Sequence, residues 1–174
     1  MQGPSTRQRA SRRLLQLGVV LILLGLLLGL AVPLLANPRM GLASHLEGVM
    51  NGLLLIAVGL LWPKLSLSEL LLKTTYWLVL LGSYANVVAT FLAAAWGTSR
   101  MTPIAGRGHA GAPGHELLVS VLLVSLSASL LAACLLLAIG LRGFLGLFFT
   151  RDITFMSPCE GAALRPRSVT TAEP

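Results

Sequence analysis

Charge is scarce in this chain, and acid is scarcer still. Of 174 residues only 11% are charged, six Asp or Glu against thirteen Lys or Arg. Ordinary soluble domains carry about 25% charged residues, so a water-facing globule is excluded. Cysteine is nearly missing: Cys134 and Cys159, with no CxxC, give neither a disulfide framework nor a zinc site. No P-loop, GxSxG, HExxH or paired acidic dyad is present, which leaves hydrolysis and phosphoryl transfer without machinery. No internal repeat supports an inverted-repeat transporter. Alternating strands are absent as well, and an open sheet in lipid would strand its edge amides.

What the chain has is apolar block after apolar block. Hydrophobic residues make up 55%, and the mean hydropathy is +0.83. About 20 apolar residues of helix cross a bilayer core, and four such blocks occur. The expected fold class is therefore an all-α integral membrane protein, a four-transmembrane-helix bundle over residues 14–142. Its spans are expected at about 14–36, 43–62, 70–96 and 116–141, after a basic cytoplasmic head at 1–13. Residues 143–174 read as an interfacial segment around Phe144–Phe149 and then a flexible cytoplasmic tail. The first span is too long for a signal-peptide core and no A-x-A site follows it, so it reads as a retained signal anchor.

The cations flank these blocks and do not line one face, which is the pattern of membrane topology and not of nucleic-acid binding. With both termini in the cytoplasm, ten basic residues lie inside and Arg39, Arg100 and Arg107 outside. That bias predicts N-in, C-in. Trp62 and Trp96 fall at span boundaries, where an indole sits well at the headgroup level. Glu69 and Glu116 suit the N-terminal ends of spans 3 and 4.

Polar residues inside spans mark candidate function. Span 2 carries His45, Glu47 and Asn51 in HLEGVMNG. At about 100° per residue, Gly48 and Gly52 share the face of His45, while Asn51 points roughly 120° away. The GxxxG pair admits either another helix backbone or a flat ligand such as a macrocycle with a histidine axial ligand. Both readings stand at this level, as does a merely interfacial His45 and Glu47. Span 3 places Tyr76, Ser83, Asn86 and Thr90 within an arc of roughly 80°, with Thr75 beside it and Tyr84 on the other flank. That stripe is expected to line a pocket. Ser120, Ser125, Ser127 and Ser129 of span 4 read as packing residues, and span 1, with Gly18, Gly25 and Gly29, as packing alone.

With HLEGVMNGLLLIAVGLLWPKLSLS at 45–68 and SYANVVATFLAAAWG at 83–97, the chain resembles the hydroxylaminobenzene mutase family over about residues 14–142. It is more distantly similar to styrene oxide isomerase. The resemblance implies a bacterial inner-membrane isomerase that turns an aryl hydroxylamine, hydroxylaminobenzene, into 2-aminophenol during nitroaromatic degradation. From the epoxide-isomerase branch it implies a homotrimer with haem b between subunits, iron acting as a Lewis acid. His45 matches the axial ligand, with Gly48 and Gly52 beside it, and Asn51 matches the pocket asparagine. Asn86, Tyr84 and Thr90 complete the implied substrate-orienting set. Gly82 and Thr90 stand where the epoxide isomerase has an acid and a tyrosine, which argues against epoxide isomerisation proper. The rival from another class is a non-enzymatic tetraspan protein.

Overall fold

The computed structural model describes residues 5–155, with side chains through Arg142. Five helices follow one another: α1 Thr6–Ala31, α2 Pro38–Leu61, α3 Glu69–Trp96, the single turn α4 Pro103–Gly106, and α5 Pro113–Phe155. Four of them are long and apolar enough to cross a membrane. Among the described residues there is no strand. The protein is an all-α membrane protein.

Local chemistry sets the helix ends. Ser5 and Gln8 form a reciprocal capping box, so α1 begins at Thr6 and carries the basic head as helix. Hydropathy marks only where lipid begins, so the span expected from about Leu14 lies inside a helix that starts eight residues earlier. Asn37 caps α2 by accepting the Met40 amide, and Pro38 occupies the first helical position, where a missing N–H costs nothing. Ser68 caps α3 in the same way, and Gly97, at φ 66°, ends it in the left-handed region. The helix α5 takes in Phe144–Phe149 and continues to Phe155, into the segment expected as tail. Cys159 and the rest of that tail lie outside the described residues.

The helices α1, α2 and α3 all touch one another, and α5 joins them through α3. The α1 backbone packs on α2, α2 on α3 and α3 on α5, while α5 approaches neither α1 nor α2. The inner pair is accordingly the more buried, with 39% and 44% of the α2 and α3 spans enclosed against 17% for α1 and α5. Lipid tails are as apolar as Leu, so close packing and polar contacts hold such helices together. The α1–α2 seam uses the first of these. A Cβ on Gly48 would sit 2.5 Å from the Gly25 Cα, and one on Gly52 would sit 2.7 Å from the Gly18 carbonyl oxygen.

Polar ties hold the rest. The Arg7 guanidinium donates to the Leu65 and Leu67 carbonyls and pairs with Glu69, fastening α1 to the turn between α2 and α3. Ser11 donates to the Gly59 carbonyl at 2.7 Å. The long 97–115 connection is fastened at several points. Asn37 donates to the carbonyls of Ala105 and Gly106, and the Glu116 carboxylate accepts the amides of Ser99, Arg100 and Gly111. Trp96 stacks on His115 with ring centroids 4.1 Å apart. Trp62, expected at the headgroup level, is instead only 2% exposed and packs edge-on against Tyr76. The span 4 serines satisfy their hydroxyls on their own helix.

Candidate functional site

The helix α2 carries the candidate chemistry on two of its faces. On the first, His45 turns toward α1. Its Nδ1 lies 2.8 Å from the Gly25 carbonyl oxygen. A carbonyl only accepts, so Nδ1 carries a proton, and Nε2 is the ring nitrogen left to meet a ligand. Gly29 makes room for the ring, since a Cβ there would fall 2.7 Å from Nδ1. Span 1 therefore does more than pack: its Gly25 carbonyl and Gly29 set the tautomer and position of His45.

This arrangement fits an axial haem ligand in its donor chemistry. A ligating imidazole characteristically donates its other N–H to a carbonyl or carboxylate, which fixes its direction. The expectation for Gly48 and Gly52 is corrected. Their smooth surface is filled by Gly18, Ile22 and Gly25 of α1, so no macrocycle lies over them, and the GxxxG pair is a helix seam. Any flat ligand must approach His45 from its Nε2 side.

The second face meets α3. Glu47, one turn before Asn51, is its centre. Asn51 Nδ2 donates to the Glu47 backbone carbonyl and to Glu47 Oε2, both at 2.9 Å. Asn86 Nδ2 of α3 donates to the same Oε2 at 2.7 Å. The amide orientations follow from the chemistry, because a carboxylate offers acceptors and the NH₂ groups must face it. Asn51 is buried, while Glu47 and Asn86 are half-buried. Glu47 Oε1, Asn51 Oδ1 and Asn86 Oδ1 accept no hydrogen bond among the described residues, and one Asn86 N–H also remains. The cluster is an acceptor-rich patch between two apolar helices.

The other expected site residues lie elsewhere. The Tyr84 hydroxyl donates to the Leu17 carbonyl at 3.0 Å, tying α3 to α1 away from Glu47. Thr90 is buried and donates to the Asn86 and Val87 carbonyls of its own helix, as Thr75 does to Leu71. Tyr76 packs among Trp62 and Trp77. Ser83 is buried with its hydroxyl unpartnered among the described residues. The stripe on α3 thus divides into separate duties, and Asn86 alone of its members joins the cluster on α2. Sequence reasoning left Glu47 out of the site, although its i, i+4 spacing to Asn51 is the signal for a side-chain pair on one helix face.

These features define a class: a polytopic α-helical membrane protein with an imidazole on one side of its second span and a half-buried carboxylate–amide cluster on the other. A sequence model of the styrene oxide isomerase family matches residues 10–142. The chain belongs to that family and is an isomerase. It is 52% identical to hydroxylaminobenzene mutase HabB of Ectopseudomonas oleovorans over 143 residues, 82% of this chain and 87% of that protein. Hydroxylaminobenzene mutase HabA of the same organism is 48% identical over 125 residues, 71% of this chain and 93% of that protein. No solved structure matches.

Proposed function

We propose that this isomerase is a mutase that converts hydroxylaminobenzene to 2-aminophenol inside the membrane, as a step in nitroaromatic breakdown. The observation that carries the reading is the junction of Asn51 and Asn86 on Glu47 Oε2. An aryl hydroxylamine presents an N–H and an O–H, and the cluster offers three oxygen acceptors to meet them. An epoxide presents no donor at all. The acceptor surplus favours the hydroxylamine, in line with the names of both relatives.

In this reaction the N–O bond breaks, a C–O bond forms at the ortho carbon, and a proton moves from that carbon to nitrogen. No electrons are gained or lost overall. Glu47 Oε1 would accept the ring proton and return it to nitrogen, while Asn51 and Asn86 hold the carboxylate by its other oxygen. Apolar surroundings within the membrane would keep water from capturing the electron-poor ring, which would give a para product.

His45 would hold a haem b through Nε2, and when bound the group supplies Lewis acidity toward the N–O function. His45 faces α1 and the Glu47 cluster faces α3. One chain therefore separates the two, and a homotrimer that joins His45 of one copy to the cluster of the next would complete the site. The expected setting is a bacterial inner membrane with both termini cytoplasmic.

Membranes containing the chain, given hydroxylaminobenzene, should accumulate 2-aminophenol that keeps an isotopic label placed on the hydroxyl oxygen. Wash-out of label to water would overturn the intramolecular transfer. Purified protein should show a Soret band that disappears in His45→Ala, and a colourless active preparation would remove the haem.

A further inference from the structure

A second feature lies at the opposite end of α2 from His45. The N-terminal turns of α1 and α3 enclose a cleft of about 550 Å³. Arg9 and Arg13 line it from α1, four residues apart and so on one face, and Lys73 lines it from α3. All three are exposed, and their side chains make no hydrogen bond or ion pair among the described residues. Glu69, the acid on the wall, is already engaged by Arg7. The cleft is therefore left with three uncompensated cations. Its rim carries Trp77, 50% exposed and packed edge-on against Tyr76, the amphipathic ring suited to the headgroup level.

We propose that this cleft binds the phosphate of an anionic membrane phospholipid. Basic pockets between spans at the membrane surface suit such headgroups. The depth agrees, because the long apolar run begins at Leu14, one residue beyond Arg13. The surroundings favour a lipid over a dissolved phosphate ester. From Arg13, the heptad positions Val20 and Leu27 continue along α1, and from Trp77, Leu81 and Val88 continue along α3. All four are exposed apolar side chains, and they give acyl chains a track that leads away from the cations.

The test uses the full-length protein in non-ionic detergent, with bound lipids counted by native mass spectrometry. Dioleoylphosphatidylglycerol should bind about tenfold or more tightly than dioleoylphosphatidylcholine, three cations each adding to headgroup attraction. The discrimination should fall to about twofold in the Arg9→Gln/Arg13→Gln/Lys73→Gln variant and survive in Arg39→Gln/Arg100→Gln/Arg107→Gln, which removes equal charge at the other end. Lys73→Gln alone should weaken it by about threefold, should the triple variant not fold. Equal affinity for the two lipids in the parent protein would overturn the proposal, as would discrimination that survives loss of the three cations. Displacement of the lipid by millimolar inorganic phosphate would identify a soluble ester as the ligand and overturn it too.

Discussion

The two seams of α2 are built on opposite principles. Against α1 it removes side chains, so that Gly48 and Gly52 meet Gly25 and Gly18 backbone to backbone. Against α3 it adds polar groups, and Glu47 gathers one amide from each helix. The first seam tolerates nothing larger than hydrogen and positions a ring at its edge. The second leaves acceptors unspent. A helix used in this way divides structural and chemical duty by face, and substitutions on the two faces should fail differently.

The largest effect is expected at the glycine seam. In Gly48→Leu the Cβ alone would enter to 2.5 Å of the Gly25 Cα, and backbone cannot rotate aside. Overpacking a core costs about 1–3 kcal/mol where side chains yield, and here they do not. Size-exclusion chromatography and limited proteolysis of the detergent-purified variant should show no folded species. A monodisperse, protease-resistant Gly48→Leu would break the comparison, because the seam would then be looser than its distances imply.

On the polar face the fold should survive and the reaction should not. Glu47→Gln keeps shape but gives up the oxygen proposed to take the ring proton, and loss of a general base typically costs about 10²–10⁴ in turnover. The measurement is kcat for 2-aminophenol formation, alongside a melting curve close to that of the parent. Full activity in Glu47→Gln would leave the cluster a structural tie. Gly29→Ala sharpens the other face, since its methyl would press on the His45 ring at 2.7 Å. Its expected signature is spectroscopic: a Soret band weakened or shifted relative to the parent, with helix content retained. An unaltered band would show that the imidazole has room to move.

Much of this contrast was legible in the sequence. Apolar runs of helix length announce four spans, and 100° per residue separates His45 from Asn51 before any coordinates exist. The occupants of each face were not legible. A GxxxG pair states that something comes close, and only the fold says that α1 does so, leaving no gap for a macrocycle. Glu47 stays open between an interfacial and a functional role in the sequence, because hydropathy near a span end cannot distinguish a wet carboxylate from one clasped by Asn86, 39 residues along the chain. The eight residues of α1 ahead of the expected span are helical for a local reason, since arginines are good helix formers and Ser5 caps them, whereas a hydropathy window ends at charge.

Tyr84 gives the smallest and most discriminating test. Angular position put its phenol near the polar stripe, yet its hydroxyl reaches the Leu17 carbonyl, 67 residues earlier in the chain. If that bond is its whole duty, Tyr84→Phe removes one interhelical hydrogen bond, worth about 0.6 kcal/mol within membranes. The melting temperature should then fall by a few degrees at most, with kcat and KM within about twofold of the parent, as expected when an interaction outside the reaction is deleted. A hundredfold loss of kcat at unchanged stability would mean that the phenol reaches substrate. The α1–α3 contact would then have to open during turnover, and the division of α2 into a packing face and a chemical face would fail where α1 meets α3.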